Sequence, residues 1–158
     1  MARRIENLPA LGALIGEEIA IGPWRRITQA DIDGFAHATG DSQWIHIDPE
    51  RAARHSPFRS TIAHGFLTLS LLPRLMSEAI DVGGLRMAIN YGLDKVRLPA
   101  PVPVESRVRA RFVLDALEPA GNAFQATWIC TVEREGSDKP VCVAEWLVRY
   151  VPEKAESA

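Results

Sequence analysis

A chain of 158 residues is long enough for one domain with a real core. With 47% apolar residues, 24% charged residues and a net charge of −2, it is neither a disordered chain nor a basic one, so no nucleic-acid partner is expected. No apolar run approaches the ~18–20 residues that cross a bilayer, so no membrane partner is expected either. Arg3, Arg4 and the stretch from Leu8 to Ile15 loosely imitate an export signal. Glu6, Pro9 and Gly12 interrupt it and no cleavage site follows, which predicts a cytoplasmic protein.

Residues 5–15 suit a short helix or an ordered arm, and 18–27 read as a first strand. Thr28 followed by Asp31 is a capping signal for a helix over 29–38, with Ile32, Phe35 and Ala36 as its apolar stripe. Gly40 ends it. Residues 41–63 are loop-rich, with a short helical turn started by Asp48-Pro49 and running to Ala53. From Gly65 to Ile80 the pattern is a helix with apolar residues (Phe66, Leu67, Leu69, Leu71, Leu72, Leu75, Met76, Ile80) on nearly every face, so burial is expected throughout. Pro73 should kink or split it.

The period then changes to two. Residues 84–98 alternate with a parity shift near Gly92 or Asp94 that predicts a bulge. Residues 106–114, 123–133 and 141–151 alternate cleanly, joined by turns at 118–122 and 135–140, and together with 84–98 they read as half-buried antiparallel strands. Cys130 and Cys142 fall on these strands as reduced core thiols or, alternatively, a cross-strand disulfide. Arg107, Arg109 and Arg111 form a stripe on one face, paired with acids such as Glu133 or Glu145, or with one arginine meeting an anionic ligand. Residues 153–158 form a polar tail expected to be flexible. One domain over 1–158, with strands around a buried helix, is an α+β plan.

Asp41 and His46 are a candidate acid–base pair, although an acid and a histidine at this spacing also occur often by chance. Five residues is about 500° around a helix, so the pair would point roughly 140° apart there, and on opposite faces of a strand. A bent loop brings them together, where a carboxylate and an imidazole can share one water and divide acid and base duty.

The run Phe35-Ala36-x-x-Thr39-Gly40-Asp41, then Ile45-His46-x-Asp48, Phe58 and Ile62-Ala63-His64-Gly65, resembles the MaoC-like, R-specific enoyl-CoA hydratase family. The segment Asn90 to Arg97 with Pro99 to Val104 fits as well, so the resemblance covers about residues 20–150. It implies the hot-dog fold, an antiparallel sheet wrapped around a long central helix, usually paired as a homodimer. It implies reversible hydration of a trans-2-enoyl-CoA thioester to the R-3-hydroxyacyl product, without a cofactor. By position the catalytic pair is Asp41, chiefly the base that activates water, and His46, which orients that water and supports proton transfer. The backbone N–H of Gly65, opening the buried helix, would stabilise charge on the thioester oxygen.

This chain departs from the family in having Gln43-Trp44 for the common Asn-Pro, and Arg59-Ser60 where glycines often stand. Trp44 either packs under the loop or caps an acyl tunnel. His64 is expected to be a structural buried residue, with substrate contact as the alternative, and His37 and His55 to lie on the surface. His46, Asp48, His55 and His64 lack an i, i+4 histidine pair, and no metal is expected. Ser70 and Ser77 should bond back to their helix. The rival readings are a hot-dog thioesterase and a non-catalytic acyl-binding module.

Overall fold

Strand pairing organises the chain, and the computed structural model describes residues 1–153. A short strand β1 (Arg3–Ile5) leads into helix α1 (Leu8–Gly12), capped by the Asn7 side chain. The expected first strand is two pieces, β2 (Glu18–Ile21) and β3 (Arg25–Arg26). Pro23, which has no N–H to give a ladder, lies in the gap. Helix α2 (Gln29–Thr39) starts on a capping box in which Thr28 and Asp31 satisfy each other's backbone N–H groups, and ends on Gly40 at φ 76°.

Two helices follow within the loop-rich segment, a single turn α3 (Trp44–Ile47) and α4 (Pro49–His55). The long central helix is two helices, α5 (Gly65–Ser70) and α6 (Leu72–Ala79). The break falls at Leu71, just before Pro73, whose ring position lacks the N–H that would bond back to Leu69. Leu71 N–H is shared between the Leu67 and Thr68 carbonyls as the turn tightens. Ser70 and Ser77 donate to the carbonyls of Leu67 and Arg74, as expected. Ile80 leaves the helix and begins β4 (Ile80–Val82), which pairs in parallel with β1.

The remaining strands are β5 (Leu85–Arg97), β6 (Arg107–Ala120), β7 (Ala123–Arg134) and β8 (Cys142–Pro152). With β2 and β3 they form one six-stranded sheet in the order β2-β6-β7-β8-β5, with β3 also on β6. The register of β5 on β8 shifts between Asn90 and Gly92 and between Leu93 and Lys95, where the parity change predicted a bulge. Strand β6 runs six residues past Leu114, across a bulge, to a tight turn at Gly121-Asn122.

One face of β6, β7 and β8 makes the core. Phe112, Leu114, Trp128, Cys130 and Val132 are fully buried, and Leu72, Leu75 and Met76 of α6 pack with them. Phe112 meets Trp128 edge-on at 6.4 Å between ring centroids. Cys130 and Cys142 are free thiols in this core, and burial pushes the Cys142 thiol up to about 11 and that of Cys130 higher still. On the other face, Arg109 and Arg111 pair with Glu133, Arg111 also with Glu18, and Arg107 with Glu135. Glu145 pairs with Lys95 instead.

Two burial expectations fail. Phe66 is 71% exposed, because it lines an open groove beside β5 and not the packed core. Strand β5 is exposed along nearly its whole length, because it is a sheet edge with β8 on one side only. The expected flexible tail over 153–158 lies outside the described residues except for Glu153, whose N–H is held by the Gly84 carbonyl.

Candidate active site

Three hydrogen bonds to other segments hold Ile45 and His46 in place. Their turn, α3, is too short to be stable alone. Gln29 at the start of α2 donates from Nε2 to the His46 carbonyl at 2.8 Å, while its Oε1 accepts from buried Thr61 at 2.6 Å. Ile62 N–H bonds to the Ile45 carbonyl, and His46 Nδ1–H donates to the Ile62 carbonyl at 2.6 Å. The 61–63 segment is itself fixed by Ala63 on Val102 and Val104 on Thr61. A carbonyl can only accept, so Nδ1 carries the proton and Nε2 of neutral His46 presents a lone pair.

Asp41 lies just past the α2 C-cap and is exposed, whereas His46 is buried. The bend expected between them exists, although His46 sits on a helical turn and not in irregular loop. The structure adds a third side chain, His64. Acid and imidazole atoms of Asp41, His46 and His64 lie within 4.8 Å of one another. A water hydrogen-bonded at ~2.8 Å to each of two such groups spans up to ~5.6 Å, so one water fits among them. A metal fits poorly. The His46 and His64 rings stack at 3.8 Å with 25° between planes, which keeps their in-plane lone pairs in separate, near-parallel planes. They do not converge on an ion ~2.1 Å from both. Asp48 and His55, weighed as ligands from the sequence, are outside this cluster; Asp48 caps α4 and His55, like His37, is exposed.

Burial holds the His46 imidazole below the usual histidine range, and nearby His64 pushes the same way. The Ile62 carbonyl and Asp41 oppose that shift without cancelling it. His46 is therefore neutral at pH 7, with a free lone pair facing a carboxylate.

Gly65 opens α5, in the first turn where backbone N–H groups have no partner within the helix. It shares a cavity of about 230 Å³ with His46, Thr68, Leu98 and Val102. A side chain at 65 would have no room as things stand: an added Cβ would lie 2.5 Å from Leu98 Cδ1. A larger groove of about 460 Å³ runs between α5 and β5, from Phe35, which touches the His64 ring, past Phe66 and Leu69 to Tyr91 and Trp146. Trp44 is not part of that groove; its ring carries the Arg51 guanidinium at 4.6 Å, which favours the packing role.

Residue pattern gave no hint of Gln29 as the anchor of His46, or of Leu98 against Gly65. Both contacts join segments far apart in sequence. The one available signal was His64 itself, a polar residue between Ala63 and Gly65 at the entry to an apolar helix, where burial demands a hydrogen-bond partner.

An antiparallel sheet around a central helical segment, with an acid and two imidazoles clustered near a helix N-terminus, is the architecture of a hot-dog domain. The family model described as MaoC like domain matches residues 11–126, and the chain belongs to that family. It is 57% identical over 150 residues to 3-hydroxyacyl-thioester dehydratase Z of Mycobacterium tuberculosis, covering 94% of this chain and 99% of that protein. It is 30% identical to 3-hydroxybutyryl-CoA dehydratase of Methylorubrum extorquens, covering 95% and 92%. The solved structure of the (R)-hydratase from A. caviae involved in PHA biosynthesis superposes with a TM-score of 0.69 at 26% identity, covering 86% of this chain and 97% of that one.

Proposed function

We propose that this protein adds water reversibly to trans-2-enoyl thioesters to give R-3-hydroxyacyl thioesters, and is thus a hydro-lyase. The observation that carries this is the cluster of Asp41 with His46, and the cavity that His46 shares with Gly65 at the start of α5. Relatives named for dehydration of 3-hydroxyacyl thioesters and of 3-hydroxybutyryl-CoA support the same reaction and a thioester substrate.

In this mechanism Asp41 and the neutral His46 Nε2 hold one water. Asp41 takes its proton as the water oxygen bonds to the substrate β-carbon. The electron pair of the double bond moves toward the thioester carbonyl, whose oxygen takes up the developing charge and accepts a hydrogen bond from the Gly65 N–H. The pair then returns a proton to the α-carbon on the same face, and dehydration is the reverse. The exposed carboxylate suits exchange with solvent, and the buried imidazole suits fixed orientation. The 460 Å³ groove, with its apolar walls, is the natural place for the acyl chain.

We read the chain as one domain, since a single buried cluster runs from Ile5 to Tyr150. A homodimer and a cytoplasmic location belong to the same reading. Strand β5 offers an unpaired edge on which Met87, Ile89, Tyr91 and Leu93 are 40–56% exposed, a surface suited to a second copy. Free buried cysteines fit a reducing compartment. No helix among the described residues is long and apolar enough to cross a membrane. A dimer by sedimentation that dissociates in Ile89→Lys supports the pairing; a stable, active wild-type monomer refutes it.

Crotonyl-CoA separates the rival reactions when enone absorbance and free thiol are followed together. Hydration predicts enone loss without thiol release. Thiol appearing with no prior enone decay identifies a thioesterase, and no change across acyl lengths identifies a binding module.

A further inference from the structure

His64 is 2% exposed and touches both reacting residues. Its Nε2–H donates to the Asp41 main-chain carbonyl at 2.9 Å. Its ring stacks on His46 at 3.8 Å, and Phe35 backs it at 4.9 Å. Its own carbonyl accepts from Thr68 N–H, so the residue is fixed to α5. Its Nδ1 is buried and has no partner among the described residues.

From these contacts we infer that His64 is a positioning residue coupling the two members of the acid–base pair. Its Nε2–H fixes the backbone that carries Asp41, and its ring face presents His46. This rests on the reading of Asp41 and His46 as the reacting groups.

Asp41 needs such a clamp. It lies past the helix, is exposed, and its own N–H makes only a long 3.4 Å bond to Thr39 Oγ1. Without the His64 bond, little besides Ser42 N–H on the Gly40 carbonyl shapes that turn. The stack has a second consequence. Two rings at 3.8 Å resist carrying a proton each, because like charges at that distance repel. Among the described residues, the ionisable groups that act on His46 are His64 and Asp41. Asp41 favours the protonated imidazole and His64 opposes it. Removing His64 therefore releases His46 to protonate at higher pH.

The two duties come apart in two substitutions. In His64→Gln the side-chain amide reaches where Nε2 was and still donates to Asp41, but the ring is lost. In His64→Phe the stacked ring remains and the donor is lost. Crotonyl-CoA hydration would be measured as kcat and KM against pH, and the His46 ring would be titrated separately by NMR. His64→Phe should lower kcat ~10–100-fold with KM within about threefold, while His64→Gln recovers most of that loss. In both, the His46 titration and the acid limb of the rate should move to higher pH. A Gln variant no better than Phe overturns the clamp. An unmoved His46 titration in both overturns the effect on His46. If His64→Phe does not fold, the Gln titration and the Asp41 amide shift still decide. The NMR readings do not depend on turnover, so failure here is distinct from wild type lacking hydratase activity.

Discussion

Gly65→Ala isolates the electrophilic part of the site. The added Cβ would approach Leu98 Cδ1 to 2.5 Å, against ordinary carbon contacts of ~3.5–4.0 Å, so the methyl must retreat by more than ~1 Å. Leu98 is 41% exposed and the contact is the far end of a flexible side chain, so the fold can absorb this. Gly65 has no positive φ, and alanine carries no backbone penalty there. Stability should stay within ~1 kcal/mol of wild type. The thioester, however, must reach the 65 N–H through the space that the methyl and displaced Leu98 now share. Loss of one such donor typically costs ~10²–10³ in kcat, about 3–4 kcal/mol. Enone absorbance gives kcat and thermal unfolding gives stability. Leu98→Ala in the same chain should restore part of the rate by making room. If Gly65→Ala is folded and turns over within about threefold of wild type, the Gly65 amide is not the oxyanion donor.

Acidification should also be informative. His46 is held below its usual range, so the unfolded chain binds its proton first as pH falls. Stability is present above the unfolded value of ~6.5 and is lost below it, down toward the folded value. Denaturant unfolding at several pH values should show that loss, and His46→Gln should flatten it; an unchanged pH slope in the variant contradicts the buried neutral imidazole. In the core, Phe112→Ala should destabilise by ~3–5 kcal/mol, since the ring is fully buried against Trp128. A loss under ~1 kcal/mol in denaturant melts would mean that this face is not the core.

Legibility in the sequence followed the range of the interactions. The α2 start at Thr28-Asp31 and its end at Gly40 are local hydrogen-bond chemistry, and both stand where the residues put them. Alternation located β6, β7 and β8, and a parity change located the β5 bulge. Hydropathy alone misjudged Phe66 and most of β5, because which apolar face meets the sheet depends on strand order. The three-residue pairing of β1 with β4 is too short to leave a periodic trace. At the site, motif and spacing pointed to Asp41, His46 and Gly65 as candidates; Asp41 clusters with His46, and His46 shares a cavity with Gly65. What holds them there, Gln29, Ile62 and His64, is reached only by contacts 16 to 32 residues apart.

The central claim is that Asp41 activates the water that adds to the double bond. Replacing its carboxylate by the nearly isosteric amide in Asp41→Asn leaves the Asp41 carbonyl, and hence the His64 bond, in place. The most direct measurement is the rate of crotonyl-CoA hydration by this variant beside wild type, with unfolding curves to confirm an intact fold. The account predicts a fall of at least ~10²-fold. A folded variant with a near-normal rate would contradict it.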